Sequence, residues 1–328
     1  MKIVSPMPSG SGAILVHRAL EQAIDGYHVK PYNPWFTLFP PLLYGINCGS
    51  ANLIHTTPDY APFFARRGRP LVITFHNFVI DSFMQRYSSL LQRIHYQTDL
   101  RLFTGMAVAR ADMVTAVSQF TADLVTQYFR PSKPIHVIPN GIDTSRFYPT
   151  TSKGHAGTVR VLFSGNLSIR KGAPLLPHIA GMLSSNVKII VAGRRRHLRG
   201  LEGIDNIELI GEVPYLKMPE LYRNVDILLM PTVREGMSLA VLEAMASGLP
   251  IVATDCSSMP ELIAHGKGGF LCELGNAEEF AKYINQLAED SNLRQEMGEY
   301  NRSKVESGYQ LNAMVDHYRE LFSQLLEN

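Results

Sequence analysis

The sequence has few cysteines and no pattern that would pair them. Cys48, Cys256 and Cys272 are odd in number among 328 residues and show no Cys-x-x-Cys spacing. This argues against a disulfide framework and against a zinc site. We therefore expect a protein of the reducing cytoplasm.

Long hydrophobic runs are also lacking. The most apolar stretch, residues 35–46, is interrupted by Pro40 and Pro41 and is shorter than the ~18 to 20 residues that cross a bilayer. Near the N-terminus, Pro6 and Pro8 come too early for the apolar core of a signal peptide. We expect neither a membrane span nor a targeting segment.

No charge of one sign dominates the chain, whose net charge is +2. Residues 1–149 carry 13 Lys and Arg against 8 Asp and Glu, whereas residues 150–328 carry 18 against 21. The basic first half fits either an ordinary solvated surface or contact with an anionic acceptor or an acidic membrane surface. No nucleic-acid partner is expected.

Short apolar runs alternate with helical stretches, and this alternation occurs twice. Examples are KIVSP and PLVITFH in the first half, and VRVLFSG and VDILLMP in the second. Because the runs are apolar at consecutive positions, they indicate parallel strands covered by helices on both faces. The sequence predicts an α/β protein with two doubly wound lobes.

Domain boundaries follow from the segments without apolar periodicity. Residues 150–157 are small and polar, as in a linker, so we predict one domain over residues 1–149 and another over residues 158–309. Residues 310–328 carry apolar side chains at helical spacing and predict an amphipathic helix that packs on a lobe.

Two acidic residues stand out within residues 225–255, a segment that reads as strand, loop, helix, loop and strand. Glu235 lies in the first loop, and Glu243 lies eight residues later in the helix. Carboxylates are good acceptors for paired hydroxyls, so the two acids could hold a sugar and a ribose. The alternative is two solvated acids on a helix.

The start of that helix predicts an anion site. Gly236 permits close approach of the backbone, and the N–H groups that follow favour a diphosphate. These N–H groups belong to Met237, Ser238 and Leu239. The arrangement suits a sugar nucleotide.

The segment EGMSLAVLEAMASGLPIVATD resembles retaining glycosyltransferases of family 4, whose signature is two Glu residues separated by seven others. The resemblance implies the GT-B fold, with two Rossmann-like domains facing each other across a cleft and a C-terminal helix that returns to the N-terminal domain. It also implies that Glu235 lies near the donor sugar, that the backbone of residues 236–239 meets sugar and phosphate, and that Glu243 accepts from the ribose.

Two further segments match the family. IPNGIDTSRFYP, residues 138–149, is similar to the segment before the interdomain linker and is interpreted as a structural turn. In VRVLFSGNLSIRKGAPLL, the resemblance places Lys171 on the donor diphosphate. The family's arginine position holds Asn166, and the neighbouring Arg170 could substitute for it.

In the first half, Gly10 and Gly12 follow the first strand, but Leu15 stands where a dinucleotide fingerprint has its third glycine. By its sequence alone, the loop fits a tight turn as well as a phosphate site. The resemblance favours contact of Gly10 and Gly12 with the donor. His76 ends a predicted strand and matches the family's histidine near the reacting sugar, although Asn77 replaces the usual Asp. His55 is interpreted as structural.

Three more positions are carried over as donor contacts, namely Gly193, Arg194 and Val213. Gly193 fits the family, whereas the basic run that begins at Arg194 is equally typical of a solvated loop. Val213 lies where the family holds the nucleobase through backbone groups.

The family's reaction is transfer of a sugar, with retention of configuration, from a nucleoside diphosphate to a hydroxyl. We expect a UDP- or GDP-linked donor and a glycan, lipid-linked glycan or small-molecule acceptor, with His76, Glu235 and Lys171 as catalytic residues. Because no Asp-x-Asp occurs, neither a metal nor another cofactor is expected. The alternatives are a sugar-nucleotide 2-epimerase and a non-catalytic partner subunit that binds the sugar nucleotide; the missing glycine disfavours a nicotinamide dehydrogenase.

Overall fold

The computed structural model describes residues 1–150, 157–193 and 200–327, which form two compact units. The first unit comprises Met1–Gly141 and Leu311–Asn328, and the second comprises Ile142–Gln310. The second unit thus begins eight residues before the predicted linker, of which only Thr150 and Gly157 lie within the described residues.

The first unit contains a parallel sheet and the helices that cover it. Its strands are β1 Ile3–Pro8, β2 Tyr27–Tyr32, β3 Leu53–Thr56, β4 Leu71–Phe75, β5 Met113–Ala116 and β6 Ile135–Val137. Its α-helices are α1 Ala13–Ala23, α2 Ala61–Phe64, α3 Ser82–Gln85, α4 Leu90–His95, α5 Arg101–Arg110 and α6 Gln119–Phe129, with α13 Leu311–Glu327 from the C-terminal segment. Pro34–Leu38 and Pro40–Gly45 are 3-10 helices, and Tyr96–Leu100 is a π-helical turn.

The strand order in the first unit is β2-β1-β3-β4-β5-β6, with parallel pairing throughout the described strands. Every residue of β3 and β4 is buried, as expected of central strands covered on both faces. Helix α13 belongs to this unit, where the rings of Tyr318 and Phe322 lie 5.1 and 5.2 Å from the ring of His55.

The second unit has the same construction. Its strands are β7 Val159–Ser164, β8 Val187–Ala192, β9 Ile207–Gly211, β10 Ile227–Met230, β11 Ile251–Thr254 and β12 Gly269–Cys272. Its α-helices are α7 Leu176–Ala180, α8 Met218–Arg223, α9 Leu239–Ala246, α10 Met259–Leu262, α11 Ala277–Glu289 and α12 Ser291–Gly308. Short 3-10 helices cover Ile169–Lys171, Ala173–Leu175 and Tyr215–Lys217.

The strand order of the second unit, read from β9, is β9-β8-β7-β10-β11-β12. This is the order of dinucleotide-binding Rossmann folds, in which the strand order reverses between the first and fourth strands. Here the reversal falls between β7 and β10, whose pairing includes Ile227 with Val161. Loops that follow these two strands therefore meet at the ligand-binding edge of the sheet.

The predicted fold class, two doubly wound Rossmann-like domains, is confirmed. The sequence pattern missed two strands, β2 and β12, and both lie at an edge of their sheets. An edge strand has a single strand neighbour and needs fewer apolar residues; β2 even contains Pro31. Among the described helices, none is both long and apolar enough to cross a membrane.

Candidate functional site

The predicted phosphate and sugar residues meet where β7 and β10 end. The backbone carbonyl of Arg170, after β7, accepts from the N–H of Val233 at 2.8 Å and from the hydroxyl of Thr232 at 3.1 Å, both after β10. These bonds join residues more than 60 positions apart in sequence. The strand order brings the two loops to one point, and the bonds fix them there.

Gly172 allows the two loops to approach closely. Its φ is +76°, and a Cβ at this position would lie 1.9 Å from the carbonyl oxygen of Pro231. Any side chain would therefore push the loop after β7 away from the loop after β10. Lys171 and Arg170, which directly precede this glycine, owe their positions to it.

Three donors surround one oxygen of the buried Glu235. The ammonium of Lys171 lies 2.7 Å from Oε1, the hydroxyl of Thr232 lies 3.0 Å from it, and the guanidinium of Arg170 lies 3.4 Å from it. Burial alone would raise the pKa of Glu235, but Lys171 and then Arg170 outweigh burial, so the net pKa is lowered. Glu235 is therefore an ionised carboxylate between two cations.

Two serines after β11 hold the backbone of Glu235. The N–H of Glu235 donates to the hydroxyl of Ser257 at 3.1 Å, and the hydroxyl of Ser258 donates to the carbonyl of Glu235 at 3.2 Å. Ser257 has a φ of +51°, a left-handed conformation that costs an L-residue roughly 1–2 kcal/mol. Sequence reasoning missed both serines.

Glu243 lies inside α9 and is also buried. The hydroxyl of Tyr222, in α8, donates to its Oε2 at 2.9 Å. Burial raises the pKa of Glu243 to about 7, despite the opposing effects of Tyr222 and Arg146. At neutral pH this carboxyl thus exists in both protonation states, unlike Glu235.

Arg146 and Tyr215 form a stack in the same unit. The guanidinium of Arg146 lies 4.3 Å from the centroid of the Tyr215 ring and donates to the Tyr215 carbonyl at 2.7 Å. Tyr215 follows β9 by four residues, two beyond the half-buried Val213. The sequence predicts only a structural turn for the segment that holds Arg146. The structure adds an electrostatic effect of Arg146 on the pKa of Glu243.

The predicted anion site lies at the start of α9. Helix α9 begins at Leu239, after Ser238, whose hydroxyl accepts from the N–H of Val241 at 3.4 Å. The N–H groups of the first turn lack intrahelical acceptors. Met237 and Gly236 are buried in the preceding loop.

Asn166 lies in the loop after β7, and Gly193 directly follows β8. A Cβ on Gly193 would lie 2.3 Å from the carbonyl of Gly165, which explains the glycine by packing. The side chain of Asn166 is exposed. Arg194 lies outside the described residues.

The remaining predicted residues belong to the first unit. Gly10 has a φ of +78° in the turn after β1, and Gly12 directly precedes α1. His76 follows β4, and burial lowers its pKa to about 4. Its Nε2 lies 3.1 Å from Nε2 of His17 in α1, a residue that the apolar helix pattern concealed.

The grouping of side chains also bears on metal binding. Within the described ranges, no group of three or more His, Cys, Asp or Glu side chains could hold a metal ion. At the ends of β7 and β10, Lys171 and Arg170 can neutralise an anion. The carboxylate of Glu235 can accept hydrogen bonds from hydroxyl groups.

Comparison with protein families gives two matches. Residues 5–146 match the model described as Glycosyltransferase Family 4, and residues 152–304 match the model described as Glycosyl transferases group 1. Together they cover the chain from residue 5 to residue 304, apart from residues 147–151. The chain belongs to glycosyltransferase family 4.

Curated relatives of this family 4 chain are distant. N-acetyl-alpha-D-glucosaminyl L-malate synthase of Bacillus anthracis is 26% identical over 67% of this chain and 62% of its own length. D-inositol 3-phosphate glycosyltransferase of Pseudarthrobacter chlorophenolicus is 28% identical over 57% of this chain and 50% of its own length. The chain thus spans about half to three fifths of these relatives.

Solved structures resemble the family 4 chain over its full length. Sucrose-phosphate synthase from Thermosynechococcus elongatus has a TM-score of 0.86 at 17% identity and covers 100% of both chains. Anabaena HepE in complex with UDP has a TM-score of 0.81 at 20% identity, over 99% of this chain and 100% of its own. Identities this low establish the fold alone, which is the GT-B pair of Rossmann-like domains.

Proposed function

We propose that this family 4 chain transfers a sugar from a nucleoside diphosphate to a hydroxyl, with retention of configuration. The observation that carries the proposal is the cluster of Lys171, Arg170 and Glu235 at the reversal point of the second sheet. Cations suit a diphosphate, and a carboxylate beside them suits sugar hydroxyls. The curated relatives named above are glycosyltransferases or synthases, in agreement with the proposal.

The diphosphate would bind Lys171, Arg170 and the first turn of α9. An ammonium has three donors, so Lys171 can keep its bond to Glu235 while it donates to a phosphate oxygen. In the transfer, the bond from the anomeric carbon to the phosphate oxygen breaks, a bond to the acceptor oxygen forms, and the acceptor proton passes to the departing phosphate. Lys171 and Arg170 stabilise the charge that develops on that phosphate, which supports a reaction without an obligate metal.

The nucleoside would lie between Glu243 and the residues after β9. Glu243 accepts from the ribose, and Val213 holds the base through its backbone. UDP is the nucleotide that we expect first, because HepE has been solved with UDP and with UDP-glucose. GDP is the second candidate.

From the first unit, His76 is proposed to contact the sugar. Its ring nitrogen Nδ1 is buried and has no hydrogen-bond partner among the described residues. A substrate hydroxyl would satisfy it, since a buried polar group without a partner costs ~1–3 kcal/mol. Gly10 and Gly12, before α1, are proposed as further phosphate contacts.

A ligand screen tests the nucleotide site directly. UDP, GDP and ADP are added to the protein, and one of them should raise the melting temperature, because ligand at ~100 times its dissociation constant adds ~2.7 kcal/mol. Lys171→Ala should abolish this shift. Lys188→Ala, which removes an exposed lysine from β8, should preserve it; no shift with any nucleotide would contradict the proposal.

We also propose that the first unit docks on an anionic membrane surface, which suits a lipid-linked acceptor. Large apolar side chains are exposed on two segments, with Trp35 at 73% and Leu38 at 75% on one, and Leu90 at 71% and Leu91 at 79% on the other. No acidic residue occurs in residues 26–58 or 82–98, whereas Arg86 and Arg93 lie in the second stretch. Exposed apolar side chains, together with arginines in a stretch without acidic residues, favour anionic lipid.

Vesicle sedimentation tests this surface. The protein should bind phosphatidylglycerol-containing vesicles and not pure phosphatidylcholine vesicles, and Trp35→Ser with Leu90→Ser should weaken binding tenfold or more. Leu216→Ser, which removes an equally exposed leucine from the second unit (82%), serves as the control. Equal loss with the control variant, or no binding to either vesicle, would overturn the membrane proposal.

A further inference from the structure

A chain of hydrogen bonds runs inward from His76 through the first unit. Nε2 of His76 lies 3.1 Å from Nε2 of His17, whose Nδ1 lies 2.7 Å from the hydroxyl of Ser5 and 2.8 Å from that of Tyr27. His17 is fully buried in α1, and both of its ring nitrogens have protein partners. His17 is therefore the partner that links His76 to the interior.

The chain of hydrogen bonds continues from Tyr27 toward α13. The hydroxyl of Tyr27 also lies 2.7 Å from Nδ1 of His55, and Nε2 of His55 lies 2.7 Å from the hydroxyl of Thr74. Thr74 in turn lies 2.6 Å from the hydroxyl of Thr115 and 3.2 Å from that of Tyr318. The inner end is thus anchored by two strands and the C-terminal helix.

The outer end of the chain is incomplete. Nδ1 of His76 is buried, yet no described group bonds to it. Buried polar atoms are nearly always paired, and each exception needs an explanation such as a ligand or a catalytic role. Burial also disfavours charge on the three imidazoles, and it lowers the pKa of His17 and His55 as well as that of His76.

Two arrangements of the protons satisfy the four bonds that link His76 to Thr74. In one, His76 donates to His17, His17 to Tyr27, Tyr27 to His55, and His55 to Thr74. In the other, each of these bonds is reversed. Nδ1 of His76 is then an acceptor in the first arrangement and a donor in the second, and the imidazole is neutral in both.

We propose that His17 is a positioning residue, which holds the His76 ring through Nε2 so that Nδ1 meets a neutral hydroxyl of the substrate sugar. A hydroxyl both donates and accepts, so it fits either proton arrangement. A phosphate or carboxylate accepts only and gains nothing from a neutral ring in its acceptor form. The inference rests on the proposed function, since it assigns the partner of His76 in sugar transfer.

Two substitutions of His17 separate its contacts. An asparagine amide reaches the place of Nδ1, so His17→Asn keeps the inner contacts and loses His76. A glutamine amide reaches the place of Nε2, so His17→Gln keeps His76. Tyr318→Phe removes a hydroxyl from the far end of the chain and is the control for stability.

The kinetic test compares these variants on the donor and acceptor that the wild type uses. We expect His17→Asn to lower kcat tenfold or more, with the KM for the nucleotide sugar within twofold, His17→Gln to restore most of kcat, and Tyr318→Phe to stay near the wild type. Unchanged kcat in His17→Asn overturns the proposal. A common fall of all three variants that follows their loss of melting temperature also overturns it.

A second measurement works without turnover, so it separates failure of this inference from failure of the proposed function. In protein with ¹⁵N-labelled histidine, the ring nitrogens of His76 should report a neutral imidazole at pH 7, with a ratio of the two tautomers that is set by its bond to His17. His17→Asn should shift this ratio to that of a free neutral imidazole, and His17→Gln should not. Identical His76 spectra in the wild type and His17→Asn contradict the positioning role, whether or not the wild type transfers sugar.

Discussion

The ammonium of Lys171 lies 2.7 Å from Oε1 of Glu235, and Arg170 reaches the same oxygen from 3.4 Å. The Lys171 side chain is 18% exposed and that of Arg170 is 35% exposed. Lys171, which is closer and less exposed, therefore stabilises the ionised carboxylate more than Arg170 does. Arg170 thus contributes a second cation to this cluster, whereas Asn166, at the family's arginine position, has an exposed side chain.

Removal of the two cations should have unequal effects. Lys171→Ala leaves the buried carboxylate with one more distant cation and the Thr232 hydroxyl, and it should cost about 1.5–3 kcal/mol of unfolding free energy, the range for a hydrogen bond to a charged group. Arg170→Ala removes a more exposed contact and should cost less than about 1 kcal/mol. Chemical denaturation at pH 7 measures both.

The pair can be isolated with Glu235→Gln. Because this neutral side chain no longer needs a cation, the added cost of Lys171→Ala should shrink by more than about 0.5 kcal/mol, the minimal coupling of contacting residues. Strict additivity of the two substitutions would show that Lys171 and Glu235 do not interact in solution.

Nucleotide affinity should also depend on Glu243. Glu243→Ala removes the ribose acceptor and should weaken binding of the nucleotide by about 1.5–3 kcal/mol, which is roughly ten- to a hundredfold. Calorimetric titration gives the dissociation constant. Tyr222→Phe keeps the carboxylate and removes its 2.9 Å donor, so its effect should be smaller; an unchanged constant in Glu243→Ala would remove the ribose assignment.

The raised pKa of Glu243 predicts a pH-dependent stability. In the unfolded chain the group ionises near 4.5, whereas in the fold its pKa is about 7. The stability that it contributes is therefore complete below pH 4.5 and is lost as the pH rises through 7. Above that pH the fold contains a buried charge that water would solvate better.

Glu243→Gln removes this titration and keeps an acceptor for Tyr222. Without ligand, the variant should gain stability over the wild type between pH 5 and pH 8, by up to about 3 kcal/mol, because each tenfold change in the ionisation constant corresponds to ~1.4 kcal/mol. Denaturation curves at four pH values in that interval measure the difference. A constant difference would mean that the carboxyl titrates at its ordinary pKa.

The sequence indicates that Lys171 and Glu235 lie at the same edge of the second sheet, but it does not predict their contact. Both follow strands that the pattern identified, β7 and β10, and the Rossmann strand order places those strands side by side. What the pattern could not supply was the distance. That depends on Gly172, whose missing Cβ admits the carbonyl of Pro231.

Other site residues had no sequence signal. Tyr222 reaches Glu243 from a neighbouring helix, and its position depends on how α8 packs beside α9. His17 lies on the buried face of an amphipathic helix, where its neighbours Val16 and Leu20 suggest ordinary core. Ser257 meets the N–H of Glu235 from a left-handed backbone conformation, and neither composition nor periodicity indicates such a conformation.

Transfer should not depend on a divalent cation. No Asp-x-Asp occurs in the sequence, and the proposed charge stabilisation comes from Lys171 and Arg170. The rate in excess EDTA should equal that in buffer. Loss of turnover that Mn²⁺ restores would show that a metal is required.

The central claim is transfer of a sugar with its configuration retained. The nucleotide sugar identified by the ligand screen is incubated with candidate hydroxyl acceptors, and NMR of the isolated product reports the anomeric configuration of the new bond. The account predicts a glycosylated acceptor with the anomeric configuration of the donor, and product that disappears in Lys171→Ala but not in Lys188→Ala. An inverted product, an epimerised donor without transfer, or nucleotide binding without turnover would contradict it.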